Sequence, residues 1–252
     1  MEILSKNRAK FIASLGQKKH RDINGLFIAE GEKLIEMLLP HFELDSIIAT
    51  ERWYASSTLK IDSKRTVVAE NEAQMKQISQ LVTPPSVLAI FVMRKGDEVE
   101  IDSDKLYLAL DRVQDPGNLG TIIRLADWFG IDTILASHTT AEIYNPKVIQ
   151  ATMGAIGRVN VIYCDLESRL AKLAERGVDI YGTFLEGENI YRAQLGRSGV
   201  VVMGNEGSGI SKEIEATISH KIFIPPYRKE QLSSESLNVA SATAITLSQF
   251  RQ

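Results

Sequence analysis

From residue 105 to the end of this 252-residue chain, short apolar runs that read as buried strands alternate with stretches of helical periodicity. The strand-like runs fall at 106–110, 131–136, 159–163, 179–184, 200–203 and 221–224. Helical patterns fall at 119–129, 148–153, 166–176, 211–217 and 238–250. Parallel strands need long crossovers, usually helices. The alternation therefore implies an α/β fold, a mostly parallel sheet with helices on both faces.

The first 93 residues form a smaller α/β pattern. Helices are expected at 8–15, 32–39 and 73–80, and strands at 25–30, 46–50, 67–68 and 87–93; Thr83-Pro84-Pro85 stops the third helix. The polar stretch 94–104 reads as a linker, which divides the chain into 1–93, 94–104 and 105–252.

Cys164 is the single cysteine, so no intrachain disulfide can form, and no secretory leader is evident. A reducing, cytoplasmic setting is expected. No apolar run reaches the length of a membrane span, so no membrane partner is expected. The net charge of −3 does not suggest a surface coated for nucleic acid, but distribution matters more than the total. Lys6, Arg8, Lys10, Lys18, Lys19 and Arg21 are opposed only by Glu2 before Asp22. This cluster is either an RNA-binding end or a solvated helix face. His20, His41, His138 and His220 are scattered, and no His, Cys or Asp cluster has ligand spacing, so no metal is expected.

Ligands of open parallel sheets bind beyond the carboxyl ends of the strands, and three loops there are unusual. In the first, Pro116-Gly117 makes a turn and Asn118 reads as the N-cap of the next helix. Arg124 then sits inside an apolar run, either bridged to Asp127 or Asp111 or kept for function. In the second, a buried strand enters Gly204-Asn205-Glu206-Gly207-Ser208-Gly209. That spacing is neither a dinucleotide fingerprint nor a phosphate loop, so it is either a ligand turn or a plain strand-to-helix turn. In the third, Ile224-Pro225 ends a strand, and Ser236 or Asn238 caps the final helix, which opens on small residues.

In this order the loops resemble the three motifs of the SpoU/TrmH family of RNA ribose 2′-O-methyltransferases. The matching pieces are Asn118-Leu119-Gly120 with Arg124, Met203-Gly204-Asn205-Glu206-Gly207, and Ile224-Pro225 with Ser236-Leu237-Asn238-Val239. The likeness covers about 106–252; residues 18–37 resemble the family's substrate-binding domain. The resemblance implies a small N-terminal α/β (ribosomal-protein L30e-like) domain that binds RNA. It also implies a catalytic domain with a C-terminal trefoil knot, and a homodimer whose site draws on both subunits. The implied cofactor is S-adenosylmethionine, held near Thr183, Gly204, Ile224 and Leu237. The implied catalytic set is Asn118, Arg124, Glu206, Ser236 and Asn238. RNA contacts are expected at Lys18, Lys19 and Arg21. The segment before Ser236 is longer than in many relatives, and its Arg228 either reaches RNA phosphates or is solvated.

The expected reaction is in-line attack of a ribose 2′-hydroxyl of structured RNA, ribosomal RNA above all, on an activated methyl group. A guanidinium keeps its proton near neutrality, so Arg124 is expected to bind phosphate and stabilise the developing alkoxide rather than act as the base. Two alternatives stand: the same chemistry on transfer RNA, and a non-catalytic knotted RNA-binding or ribosome-assembly protein.

Overall fold

A computed structural model describes residues 2–59, 61–94, 99–227 and 236–252. The chain divides into two compact units. One is 1–95 together with 142–158; the other is 96–141 together with 159–252.

The first unit runs β1 (Glu2–Ile3), α1 (Lys6–Ser14), α2 (Lys18–Asn24), β2 (Leu26–Glu30), α3 (Glu32–Leu38), β3 (Leu44–Thr50), α4 (Glu51–Ser56), β4 (Thr66–Ala69), α5 (Glu72–Ile78) and β5 (Val87–Val92). Its mixed sheet has the order β1-β4-β3-β5-β2. Phe27, Ala29, Ile47, Ala49, Ala89 and Phe91 bury one face, while Ile28, Ile48, Val67, Leu88 and Ile90 bury the other. That alternation follows from the two-residue period of a strand. Two helices, α2 and α4, lie where no helix is expected from the sequence. The basic run in α2 carries no apolar stripe that periodicity could detect.

The second unit contributes β6 (Leu106–Leu110), α6 (Pro116–Trp128) and β7 (Thr133–Ser137). Next in the chain, α7 (Pro146–Thr152) belongs to the first unit, where Tyr144, Ile149 and Ile156 join the Phe27 cluster. The second unit continues with β8 (Asn160–Cys164), α8 (Leu166–Glu175), β9 (Ile180–Phe184), β10 (Glu188–Asn189), β11 (Gly199–Met203), α9 (Lys212–Glu215), β12 (His220–Phe223) and α10 (Val239–Phe250). The sheet order is β10-β12-β9-β11-β6-β7-β8, and every pairing in it is parallel. Residues of β6 and β11 are buried throughout, as central strands covered on both faces must be. No helix among the described residues is long and apolar enough to cross a membrane.

Candidate active site

A cavity of about 690 Å³ opens beyond the carboxyl ends of β9, β11 and β12. This is where ligands of parallel sheets bind, and the size is ordinary for a small-molecule site. Thr183, Gly204, Glu206, Ile224, Ser236 and Leu237 all line it, six positions singled out in the sequence. Met203, Ile210 and Val239 supply apolar wall. Its charged lining among the described residues is acidic, from Glu186, Glu206 and Glu215, with Glu215 paired to Lys221. Such a wall suits a ligand with net positive charge, and a sulfonium donor that carries an amino-acid group is one.

The backbone turn is shaped for close approach. A Cβ on Gly204 would lie 2.5 Å from the nitrogen of Ile210 and 2.7 Å from the carbonyl oxygen of Gly209, so only glycine fits. Asn205 and Gly209 bond each other's backbones at 3.0 and 2.9 Å. The Asn205 side-chain oxygen accepts from the backbone nitrogens of Gly207 at 2.9 Å and Ser208 at 3.0 Å. The turn is therefore held from within, and Glu206 rides on it.

Three polar side chains form a relay beside the cavity. The N-cap of α10 is Asn238, whose Oδ1 accepts from Ala240 N at 3.0 Å and Ser241 N at 3.3 Å. That fixes the Asn238 amide, so its Nδ2 points outward and donates to Asn118 Oδ1 at 2.9 Å. Asn118 Nδ2 must then face the other way, where it donates to Glu206 Oε1 at 2.7 Å. A helix cap thus sets the orientation of a side chain 120 positions earlier.

Asn118 is free for this because it is not the N-cap of α6, contrary to the expectation from sequence. Asp115 is the cap, and its side chain accepts from Asn118 N at 2.8 Å. Pro116 occupies the first helical turn, where the N–H it lacks would have no partner. The Asp-Pro pair was the signal for the true start.

Arg124 is exposed on α6 and does not line the cavity. Six residues along a helix is 600°, which turns Arg124 well away from the Asn118 side. Asp111, one suggested partner, instead accepts from Ser211 N at 2.7 Å and from Arg112. Among the described residues no side-chain partner of Arg124 is found. Lys18 and Lys19 are exposed, with Lys18 paired to Asp22 at 2.6 Å.

Arg21 requires a correction. It is 1% exposed, donates to the carbonyls of Leu15 and Gly16 at 2.9 Å each, and is ion-paired with Glu142. A guanidinium so enclosed cannot touch an RNA phosphate. Its partner lies 121 residues away, so no local pattern reveals the pair. Arg228 lies outside the described residues. No group of three or more metal-ligating side chains occurs among the described residues.

Residues 105–248 match the SpoU rRNA Methylase family, and residues 6–89 match the MRM3-like substrate binding domain. The 23S rRNA (guanosine(2553)-2′-O)-methyltransferase RlmP of Bacillus subtilis is 29% identical, over 100% of this chain and 98% of that protein. A structure from Porphyromonas gingivalis assigned to the TrmH family of RNA methyltransferases is 38% identical. It superposes with a TM-score of 0.86 over 98% of both chains. An AdoMet-bound rRNA methyltransferase from Sinorhizobium meliloti is 31% identical, with a TM-score of 0.83 over 100% of this chain and 97% of that one.

Proposed function

The chain belongs to the SpoU rRNA methylase family and is an RNA 2′-O-ribose methyltransferase that uses S-adenosylmethionine; we propose that its substrate is ribosomal RNA, 23S rRNA above all. The observation that carries this reading is the Asn238–Asn118–Glu206 relay at the edge of an acidic, glycine-cradled cavity. RlmP, a relative over nearly its whole length, acts on 23S rRNA by name, which favours the ribosomal substrate over transfer RNA.

The donor supplies a methyl carbon already activated by the sulfonium. Gly204, Ile224 and Leu237 would hold it through backbone and apolar contact, with Thr183 beside them. Glu206, oriented by Asn118, would accept a hydrogen bond from the incoming 2′-hydroxyl, aim its lone pair and take its proton as the methyl group passes from the sulfonium to the oxygen and the neutral thioether leaves. Ser236 lines the same cavity and contacts the ribose. Alignment of this kind supplies up to ~7–11 kcal/mol of a barrier. Arg124 belongs to the site of a second copy of the chain, where it binds the target phosphate and stabilises the developing alkoxide. The exposure of Arg124, next to a Trp128 that is 83% exposed one turn on, supports a homodimer built on this face of α6.

The C-terminal segment forms a trefoil knot in this reading. Its support is the path of the chain, which passes from β12, two strands beyond β11, back to pack α10 on α6. The first unit is the L30e-like, RNA-binding part, with Lys18 and Lys19 on its surface.

Deletion of the gene followed by mapping of 2′-O-methyl marks tests the substrate. Loss of a mark in ribosomal RNA that purified protein restores is expected. Loss confined to transfer RNA overturns the ribosomal assignment, and no lost mark with no donor binding by calorimetry overturns the reaction.

A further inference from the structure

Two residues other than glycine have positive φ among the described residues, Arg112 at 58° and Met153 at 48°. Left-handed backbone is unfavourable for a residue with a Cβ and persists where the surroundings impose it. Around Arg112 those surroundings are the glycine turn 205–209, the neighbouring Asp111 and the end of β7. Its backbone carbonyl accepts from Asn205 Nδ2 at 2.8 Å, at the start of the turn. Its guanidinium reaches the carbonyl of Gly209 at 3.4 Å, at the end. Its Nε donates to Asp111 Oδ1 at 3.2 Å, and Asp111, 2% exposed, grips Ser211 N just beyond. Its own N–H donates to Ser137 Oγ at 2.9 Å, which ties the arrangement to the end of β7.

We propose that Arg112 is a positioning residue of the methyltransferase, clamping the Asn205–Gly209 turn at both ends so that Gly204 and Glu206 are fixed before the donor arrives. Glycine would adopt the same backbone with less strain, yet it would lose the guanidinium half of the clamp. Arginine here therefore exchanges local backbone comfort for a rigid turn. The inference rests on the reading that the donor binds in this cavity.

Arg112→Gly keeps the left-handed backbone and removes the guanidinium. Relief of backbone strain and loss of the partner of buried Asp111 act in opposite directions on the urea midpoint, so donor affinity is the readout. Calorimetry on the folded variant gives a donor Kd raised by about 10-fold, that is about 1.4 kcal/mol, while the KM for RNA is unchanged. Arg112→Lys, which keeps charge but not the fork, falls between the two in donor affinity. A donor Kd for Arg112→Gly within about twofold of the parent overturns the proposal. So does a raised RNA KM with unaltered donor binding, which would make Arg112 an RNA contact. If the unmodified protein does not bind the donor, the cavity assignment fails instead.

Discussion

Asn238 Nδ2 donates to Asn118 Oδ1 at 2.9 Å, and this bond, with Asn238 already fixed as a helix cap, determines which way round the Asn118 amide sits. Asn238→Asp tests its role without harming the helix, because Asp caps as well as Asn. The substitution places a carboxylate oxygen against Asn118 Oδ1, so the Asn118 amide turns and withdraws its N–H group from Glu206. The thermal midpoint is expected to hold, and kcat in a methyl-transfer assay to fall by roughly 10²-fold, as for loss of one aligned polar contact. Full activity in Asn238→Asp would show that the relay is only structural.

Arg21 and its two lysine neighbours are expected to behave oppositely. Arg21→Ala leaves Glu142 in a partly buried site without its partner and frees two backbone carbonyls. Loss of one member of a buried pair destabilises by about 3–5 kcal/mol, so urea unfolding of the first unit shifts to lower denaturant. Lys18→Ala with Lys19→Ala leaves the midpoint in place and weakens RNA binding, with a shallower dependence on salt. Unchanged RNA affinity at low salt in the double variant removes these lysines from the interface.

Why some of this was legible in the sequence and some was not comes down to the range of the interactions. The longer strands of both units announce themselves, because runs such as Val200–Met203 and Val87–Phe91 are apolar stretches whose burial any two-sided sheet demands, while the two-residue edge strands β1 and β10 carry no such signal. The cavity residues Gly204, Glu206, Ile224 and Leu237 follow from ordered motifs at strand ends. Three things stayed hidden. The cap of α6 is displaced to Asp115 by the proline beside it. Arg21 is claimed by a glutamate far along the chain. Residues 142–158 leave the second unit to pack in the first, although their helix is plain in the sequence. Hydrophobic periodicity reports the face a segment buries, not the surface that receives it.

Glu30 gives stability a dependence on pH. It is 4% exposed, accepts from Gln80 N at 2.7 Å and is bonded to Ser79 Oγ. Burial pushes its carboxyl above the ordinary 4.5, and the two hydrogen bonds only partly offset this. Between 4.5 and the raised folded value, the native state keeps a proton that the unfolded state has released. Stability from this group is therefore present below 4.5 and lost as pH rises through the folded value. Gln at this position still accepts from Gln80 N through its Oε1, while its Nε2 donates to Ser79 Oγ instead of accepting from it, and it carries no charge. Glu30→Gln is expected to match or exceed the parent stability at neutral pH and to lack that decline in urea unfolding measured across the window. A parent-minus-variant difference that grows with pH would reverse the assignment.

Arg124 and Glu206 make the last prediction, because the proposed site takes them from different copies of the chain. Arg124→Ala alters an exposed side chain, so folding and donor binding persist while methyl transfer is lost. Glu206→Ala removes the acceptor for Asn118 Nδ2 and is also inactive. In a heterodimer of the two variants, one composite site carries both substitutions and the other carries neither. Co-expression with two different tags and purification of the mixed species should restore about half the activity of the parent dimer, since one site in two is intact. If both residues act from the same chain, each site of the heterodimer is defective and no activity returns. Size-exclusion chromatography with light scattering on Trp128→Glu supplies the physical counterpart. A charge on that exposed ring's position opposes association through this face, so the variant should dissociate at concentrations where the parent protein stays dimeric. A parent protein that is monomeric and fully active would refute the composite site outright.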